Sequence, residues 1–112
     1  MSLITTHVLD TSKGKPATGI KIILFKNEDE AWVTIAGGTK NIDGRITNLL
    51  EENIIPAAGI YKLKFETKEY FDHQSIESFY PFIEIVFEIK DKEHYHVPLL
   101  LNPFGYSTYR GS

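Results

Sequence analysis

The stretch Ile60-Tyr61-Lys62-Leu63-Lys64-Phe65 alternates without a break, with Tyr61, Leu63 and Phe65 on one side and two lysines on the other. A period of two is that of a β-strand with one face on a core and one toward water. Downstream, Ile83-Glu84-Ile85-Val86-Phe87-Glu88-Ile89 repeats the pattern, its odd positions apolar and its glutamates opposite. Upstream, Ile20-Lys21-Ile22-Ile23-Leu24-Phe25-Lys26 is apolar on both faces at its centre and reads as an interior strand. Leu3 to Leu9, Ala31 to Ala36, Tyr95 to Leu101 and Tyr106 to Arg110 supply the remaining strand runs. Turn formers separate them: Asp10 to Pro16, Asn27 to Glu30, Gly37-Gly38, Asp43-Gly44, Asp91-Lys92 and Asn102 to Gly105. Residues 48–58 have no clean period and contain Pro56, which predicts a loop. One helix is expected, capped by Thr67 and running through Tyr70, Phe71 and Gln74, so that Phe71 and Ile76 approach the core. Seven or eight short strands with turns every ten or so residues predict an all-β sandwich of two sheets.

Length and composition narrow the possibilities. At 112 residues the chain is expected to be a single domain spanning 1–112, since two cores of half that size would each be marginal. A formal charge of -3 gives no long-range attraction for phosphate backbones, so nucleic acid is excluded as an expected partner. Cysteine is absent, so no disulfide can form, which favours a reducing, cytoplasmic compartment. Neither a signal-peptide pattern nor an apolar run long enough for a membrane span appears, and no membrane partner is expected.

Strand parity singles out the penultimate strand. In His94-Tyr95-His96-Val97-Pro98-Leu99-Leu100-Leu101 the odd side chains form a core face, which leaves His94, His96, Pro98 and Leu100 opposite. Lysines and glutamates would be normal there, so this face is expected to be covered by another subunit. On the first strand parity is ambiguous, because Leu3, Thr5, His7 and Leu9 alternate with Ile4, Thr6 and Val8. Taken singly, His7 reads as an ordinary strand residue, Arg45 as a solvated turn residue and Thr108 to Ser112 as a frayed tail. His94 and His96 have a spacing that would also suit a metal, but zinc needs three or four ligands and no third one is clustered with them. No phosphate loop or nucleophile elbow is present.

Three segments change that reading together. Thr6-His7-Val8-Leu9-Asp10 followed by Gly14-Lys15-Pro16-Ala17 resembles the first-strand signature of transthyretin-like proteins, and Asp43-Gly44-Arg45 resembles the arginine-bearing turn of their hydrolase branch. Tyr95-His96-Val97-Pro98-Leu99-Leu100-Leu101-Asn102-Pro103, running into Tyr106-Ser107-Thr108-Tyr109-Arg110-Gly111-Ser112, resembles the closing motif, in which the final Tyr-Arg-Gly-Ser is highly specific. The likeness extends from Leu3 to Ser112, departing from the usual pattern at Asn102, where serine is common, and at Asn41-Ile42, where a more acidic turn is typical. The resemblance implies a transthyretin-like (prealbumin-type) sandwich with one short helix, assembled as a homotetramer around a channel. It also implies an activity, the opening of 5-hydroxyisourate by water in urate breakdown, with no cofactor and no metal. Carried over to matching positions, His7, Arg45 and His96 are the implied catalytic set, while Tyr109, Arg110 and Ser112 help to form the substrate pocket; His94 receives no role. The alternatives are a non-enzymatic carrier of small ligands in the same channel and an immunoglobulin-like adhesion or structural domain. The carrier would have little use for two histidines and an arginine at these positions, and the adhesion domain would leave the outer face of the penultimate strand unexplained.

Overall fold

The computed structural model describes residues 3–39, 45–46 and 55–111, with 37–39 and 45–46 described as backbone alone. In chain order these form β1 (Ile4–Asp10), β2 (Lys15–Pro16), β3 (Lys21–Glu28), β4 (Ala31–Thr39), β5 (Arg45–Ile46), β6 (Gly59–Phe65), α1 (Thr67–Asp72), β7 (Ile83–Ile89), β8 (Tyr95–Asn102) and β9 (Gly105–Thr108). One sheet runs β2-β1-β8-β9, with β5 also paired to β1, and the other runs β4-β3-β6-β7. The expected all-β sandwich with a short helix is what forms. Its two additional strands, β2 and β5, are two-residue pairings too short to leave a period in the sequence. The expected turn at Asp43-Gly44 and most of the expected 48–58 loop lie outside the described residues.

The core lies between the sheets, and the alternation reports it faithfully. Tyr61, Leu63 and Phe65 of β6, Ile83, Ile85 and Ile89 of β7, and Tyr95, Val97, Leu99 and Leu101 of β8 are all buried. Each such side chain contributes roughly 1.5–3 kcal/mol through the area it removes from water. On the far side of β6, Lys62 meets Glu84 at 3.0 Å and Lys64 meets Glu66 at 3.1 Å. The ambiguity of β1 is resolved as well: Ile4, Thr6, Val8 and Asp10 point inward and are fully buried, which turns Thr5, His7 and Leu9 to the other face.

The helix differs from expectation at its start. Glu66, not Thr67, occupies the capping position, no side-chain cap bond forms, and Thr67 is already helical. The Thr67 hydroxyl is buried without a hydrogen-bond partner. Packing therefore outweighs capping here, because the helix is short and is held by Phe71, which is buried in the core. It ends at Asp72 with His73 as C-cap, and the chain turns away at Ser75, which has φ 57°. Ile76 N–H then bonds Phe71 O at 3.0 Å and Ser75 N–H bonds Asp72 O at 3.0 Å, which satisfies the last carbonyls and seats Ile76 against the core.

Asp10 joins this helix to the sheet. Its carboxylate accepts hydrogen bonds from the Ser12 amide at 3.0 Å, the Ser12 hydroxyl, and the Tyr70 hydroxyl at 2.7 Å. Burial alone would raise the pKa of Asp10, but the bonds from Ser12, Tyr70 and the Lys13 amide together hold it below the usual carboxylate value. Burial and the bond to Asp10 push the Tyr70 hydroxyl up to about 12. Because the folded carboxylate titrates lower than the unfolded one, its stabilisation is complete above the ordinary aspartate range and fades as pH falls through the depressed folded value. Tyr70→Phe is therefore expected to cost about 1.5–3 kcal/mol at neutral pH, the scale of a hydrogen bond to a charged group. That deficit should shrink in acid, which urea melts of parent and variant at pH 7 and pH 3 would measure.

Candidate active site

The outer face of the β1/β8 sheet collects the residues that parity had singled out. β1 and β8 run parallel, with Thr5 aligned to His96, His7 to Pro98 and Leu9 to Leu100. On the opposite side of β1, the antiparallel register sets Arg45 across from His7 and Ile46 across from Thr6. Arg45, His7 and Pro98 thus occupy one row across three neighbouring strands, and His96 lies one row away on the strand beside His7. With strands about 4.8 Å apart and about 3.3 Å per residue, the His7 and His96 backbones are separated by roughly 8 Å. Two imidazoles at that separation can bracket a water and a small planar ring. Residues 89 to 91 positions apart in sequence meet here only because β1 pairs with β8.

Around His96 the packing is tight. The Thr5 hydroxyl, on a residue only 4% exposed, lies 2.8 Å from His96 Nδ1 and 2.8 Å from His94 Nε2. The two imidazoles are nearly parallel, 22° apart in plane and 6.2 Å between centroids. Pro98 is buried, and His7 and His96 are half-buried. The tail does not fray as a terminus ordinarily would. Gly111 N–H donates to His96 O at 2.8 Å, and the two residues form an antiparallel bridge. A Cβ added at Gly111 would lie 2.5 Å from His96 Cδ2 and 3.2 Å from Pro98 Cγ, so only glycine lets the tail lie against this ring. Gly111→Ala should push the imidazole aside and lower turnover roughly 10-fold or more, since a displacement of about 1 Å in such groups can cost up to 100-fold. Steady-state kinetics alongside a melting curve would separate that loss from unfolding.

The other two tail residues diverge. Tyr109 is exposed at the edge of the sandwich. Arg110 holds its guanidinium 4.5 Å over the Tyr95 ring, on a residue whose parity is that of the core and not of the imidazoles. Tyr95 in turn donates its hydroxyl to Asp91 at 2.9 Å and accepts the Lys90 amide at 3.0 Å. The Asp91 carboxyl is held below its usual range by the Glu93 amide, the Tyr95 hydroxyl and the nearby Arg110 charge. A cleft of about 390 Å³ opens beside this cluster, with Phe87, Tyr95, His96, Tyr109 and Arg110 in its wall. Arg110 thus anchors the tail instead of facing His7, and Ser112 lies outside the described residues. Two neighbours of His96 carry no reading in the sequence, Thr5 and Gly111. The parity shared by Thr5 with His7 was the available signal, but its significance depends on the β1/β8 register, which no local pattern reports.

Residues 4–111 match the model of the HIUase/Transthyretin family. The chain belongs to this family. Among HIUase/Transthyretin relatives, the 5-hydroxyisourate hydrolase of Salmonella typhimurium is 43% identical over 99% of this chain and 82% of its own length. The mouse 5-hydroxyisourate hydrolase is 46% identical over 99% of this chain and 96% of its own. In three dimensions the chain superimposes on Klebsiella pneumoniae 5-hydroxyisourate hydrolase with a TM-score of 0.84 at 39% identity, covering 97% of this chain and 98% of the other. It also superimposes on sea bream transthyretin in complex with thyroxine, with a TM-score of 0.91 at 34% identity, covering 98% and 95%. A hydrolase and a transthyretin both superimpose on the chain over nearly its whole length, so the backbone alone does not separate hydrolysis from carriage. No helix among the described residues is long and apolar enough to cross a membrane.

Proposed function

We propose that the chain hydrolyses 5-hydroxyisourate to 2-oxo-4-hydroxy-4-carboxy-5-ureidoimidazoline, a step of urate breakdown, on the outer face of the β1/β8 sheet. The observation that carries this reading is the register that sets Arg45 across from His7 on one side of β1 and His96 on the strand at its other side. Opening a cyclic amide with water needs a base for the water's proton and a donor for the charge that develops on the carbonyl oxygen. Imidazole is the side chain suited to act as that base at neutral pH. In this reading His7 and His96 activate the water and relay its proton, and the Arg45 guanidinium orients the planar, anionic substrate or meets the oxyanion. Tyr109, Arg110 and Ser112 help to form the pocket wall, Arg110 by fastening the tail on Tyr95 so that Gly111 can reach His96. The chemistry requires neither cofactor nor metal, and the site of action is the cytoplasm.

The same reading includes a homotetramer. β7 and β9 are each an edge strand of their sheet among the described residues, and they carry exposed Val86 and Tyr106, with Tyr109 just beyond. Open, apolar edges favour pairing with another copy. Light scattering at micromolar concentration is expected to give four times the chain mass; a monomer mass would remove the shared channel. The function itself is tested by following the near-ultraviolet absorbance of freshly generated 5-hydroxyisourate. The protein should accelerate its decay, whereas unchanged decay together with thyroxine binding would favour the carrier.

A further inference from the structure

The Thr5 hydroxyl is unlike the threonine hydroxyls of Thr6, Thr11 and Thr108 in and beside this sheet. Thr6, Thr11 and Thr108 each donate to a main-chain carbonyl, of Val97, Leu101 and Pro98 respectively. Such bonds to the main chain are the usual fate of a hydroxyl. Thr5 instead stands between two imidazole nitrogens, 2.8 Å from each. A hydroxyl has one proton and can donate it only once, while its lone pairs accept. If it donates to one histidine, it must accept from an N–H of the other. The tautomers of His94 and His96 are therefore coupled through a single oxygen. In one arrangement His96 carries its proton on Nδ1 and presents Nε2 as a base; in the other, the proton sits on Nε2.

We propose that Thr5 and His94 are positioning residues that hold His96 as the Nδ1–H tautomer and act as a proton relay behind it. This inference rests on the hydrolase reading given above. In the resting site, His96 Nδ1–H donates to Thr5 Oγ1 and the Thr5 hydroxyl donates to His94 Nε2. As the water oxygen bonds to the substrate carbonyl carbon, its O–H bond breaks and the proton passes to His96 Nε2. The Nδ1 proton moves to Thr5 Oγ1, and the original hydroxyl proton moves to His94 Nε2. The positive charge thus arrives on His94, and the matching negative charge lies on the carbonyl oxygen. When the tetrahedral adduct collapses and the ring C–N bond breaks, the same three transfers run backward and His96 Nε2 protonates the departing nitrogen. No proton is gained or lost over the cycle beyond those of the water. The stacking of the two rings, with planes 22° apart, keeps both nitrogens within reach of the one oxygen. Burial of Thr5 keeps solvent from offering that oxygen a competing partner.

The test uses the full-length protein. Thr5→Val, close in shape but without the hydroxyl, is expected to lower kcat about 10- to 100-fold with KM little changed, on the scale of impaired acid–base catalysis. Thr5→Ser restores the hydroxyl and should recover most of the rate. His94→Phe should lose a similar factor, and the Thr5→Val/His94→Phe double variant should be no slower than the worse single variant. Imidazole nitrogen-15 chemical shifts of the substrate-free protein should show His96 as the Nδ1–H tautomer in the parent and a shift toward Nε2–H in Thr5→Val. Parental kcat in Thr5→Val, equal losses in Thr5→Ser and Thr5→Val, or a parental His96 in the Nε2–H form would overturn the relay. A parent that does not turn over 5-hydroxyisourate would instead count against the hydrolase reading, and the nitrogen-15 spectrum, which needs no substrate, would still decide whether Thr5 sets the tautomer.

Discussion

Replacing His7 or His96 with asparagine, or Arg45 with alanine, is expected to lower 5-hydroxyisourate turnover by about 100-fold or more each, the usual range for a lost acid, base or oriented cation. The losses should not add. A His7→Asn/His96→Asn double variant should be barely slower than the worse single one, because removing a second part of a broken unit takes away little that still works. Thermal stability should respond weakly, since His7 and His96 are half-buried on an outer face and their loss opens no core cavity. His96→Asn also gives up the bond to Thr5, which contributes on the order of 1 kcal/mol. Decay of freshly made substrate, melting temperature and mass, measured together, decide the matter. Near-parental turnover in either histidine variant with the assembly intact would remove that residue from the mechanism, and collapse of all three variants would make them structural.

The largest expected loss of stability comes from Phe65→Ala. Phe65 is fully buried, and its strand position is flanked by Ile22 of β3 and Ile83 of β7, both also buried. Truncation removes the transfer free energy of the ring and leaves a cavity that the surrounding β-branched side chains cannot fill, a cost of about 3–5 kcal/mol. Against a total stability of roughly 5–15 kcal/mol this is a large share. For a domain of this size it corresponds to a fall in Tm of roughly 12–40 °C. Ile55→Ala makes the comparison, since Ile55 lies outside the strands and is 56% exposed. A Phe65→Ala protein that melted within a few degrees of the parent would mean that the core had repacked around the gap.

The sequence makes the sandwich legible wherever one face of a strand is apolar and the other is not. Ile60 to Phe65, Ile83 to Ile89 and Tyr95 to Leu101 were read with the correct faces because burial imposes a period of two on them. β1 could not be oriented in this way, since threonine is compatible with either face and both Thr5 and Thr6 turn out to be buried. Asp10 was read as a turn former, and its burial depends on Tyr70, sixty residues away. The hairpin between β3 and β4 turns through Asp29 and Glu30, both at positive φ, without the glycine that would have marked it. For the site, the motif resemblance supplied His7, Arg45 and His96, but not that β1 and β8 pair in parallel and bring Thr5 beneath two imidazoles. That pairing joins distant segments, and no local pattern encodes it.

The parallel pairing of β1 with β8 also bears on how the protein is made. Thr5 and His96 are 91 positions apart, and synthesis at roughly 5–20 residues per second leaves β1 without its neighbour for roughly 5 to 20 seconds. During that interval β2 and β5 can pair along one edge of β1, but the edge that β8 will occupy stays open to other nascent chains. High contact order also slows closure after release, because loop entropy must be lost before the pairing gives anything in return. A chain truncated before β8 would lack His96 and the strand that aligns it with β1 together, and with them the proposed site. In this fold, the strand that aligns His96 with β1 therefore arrives only in the last part of synthesis.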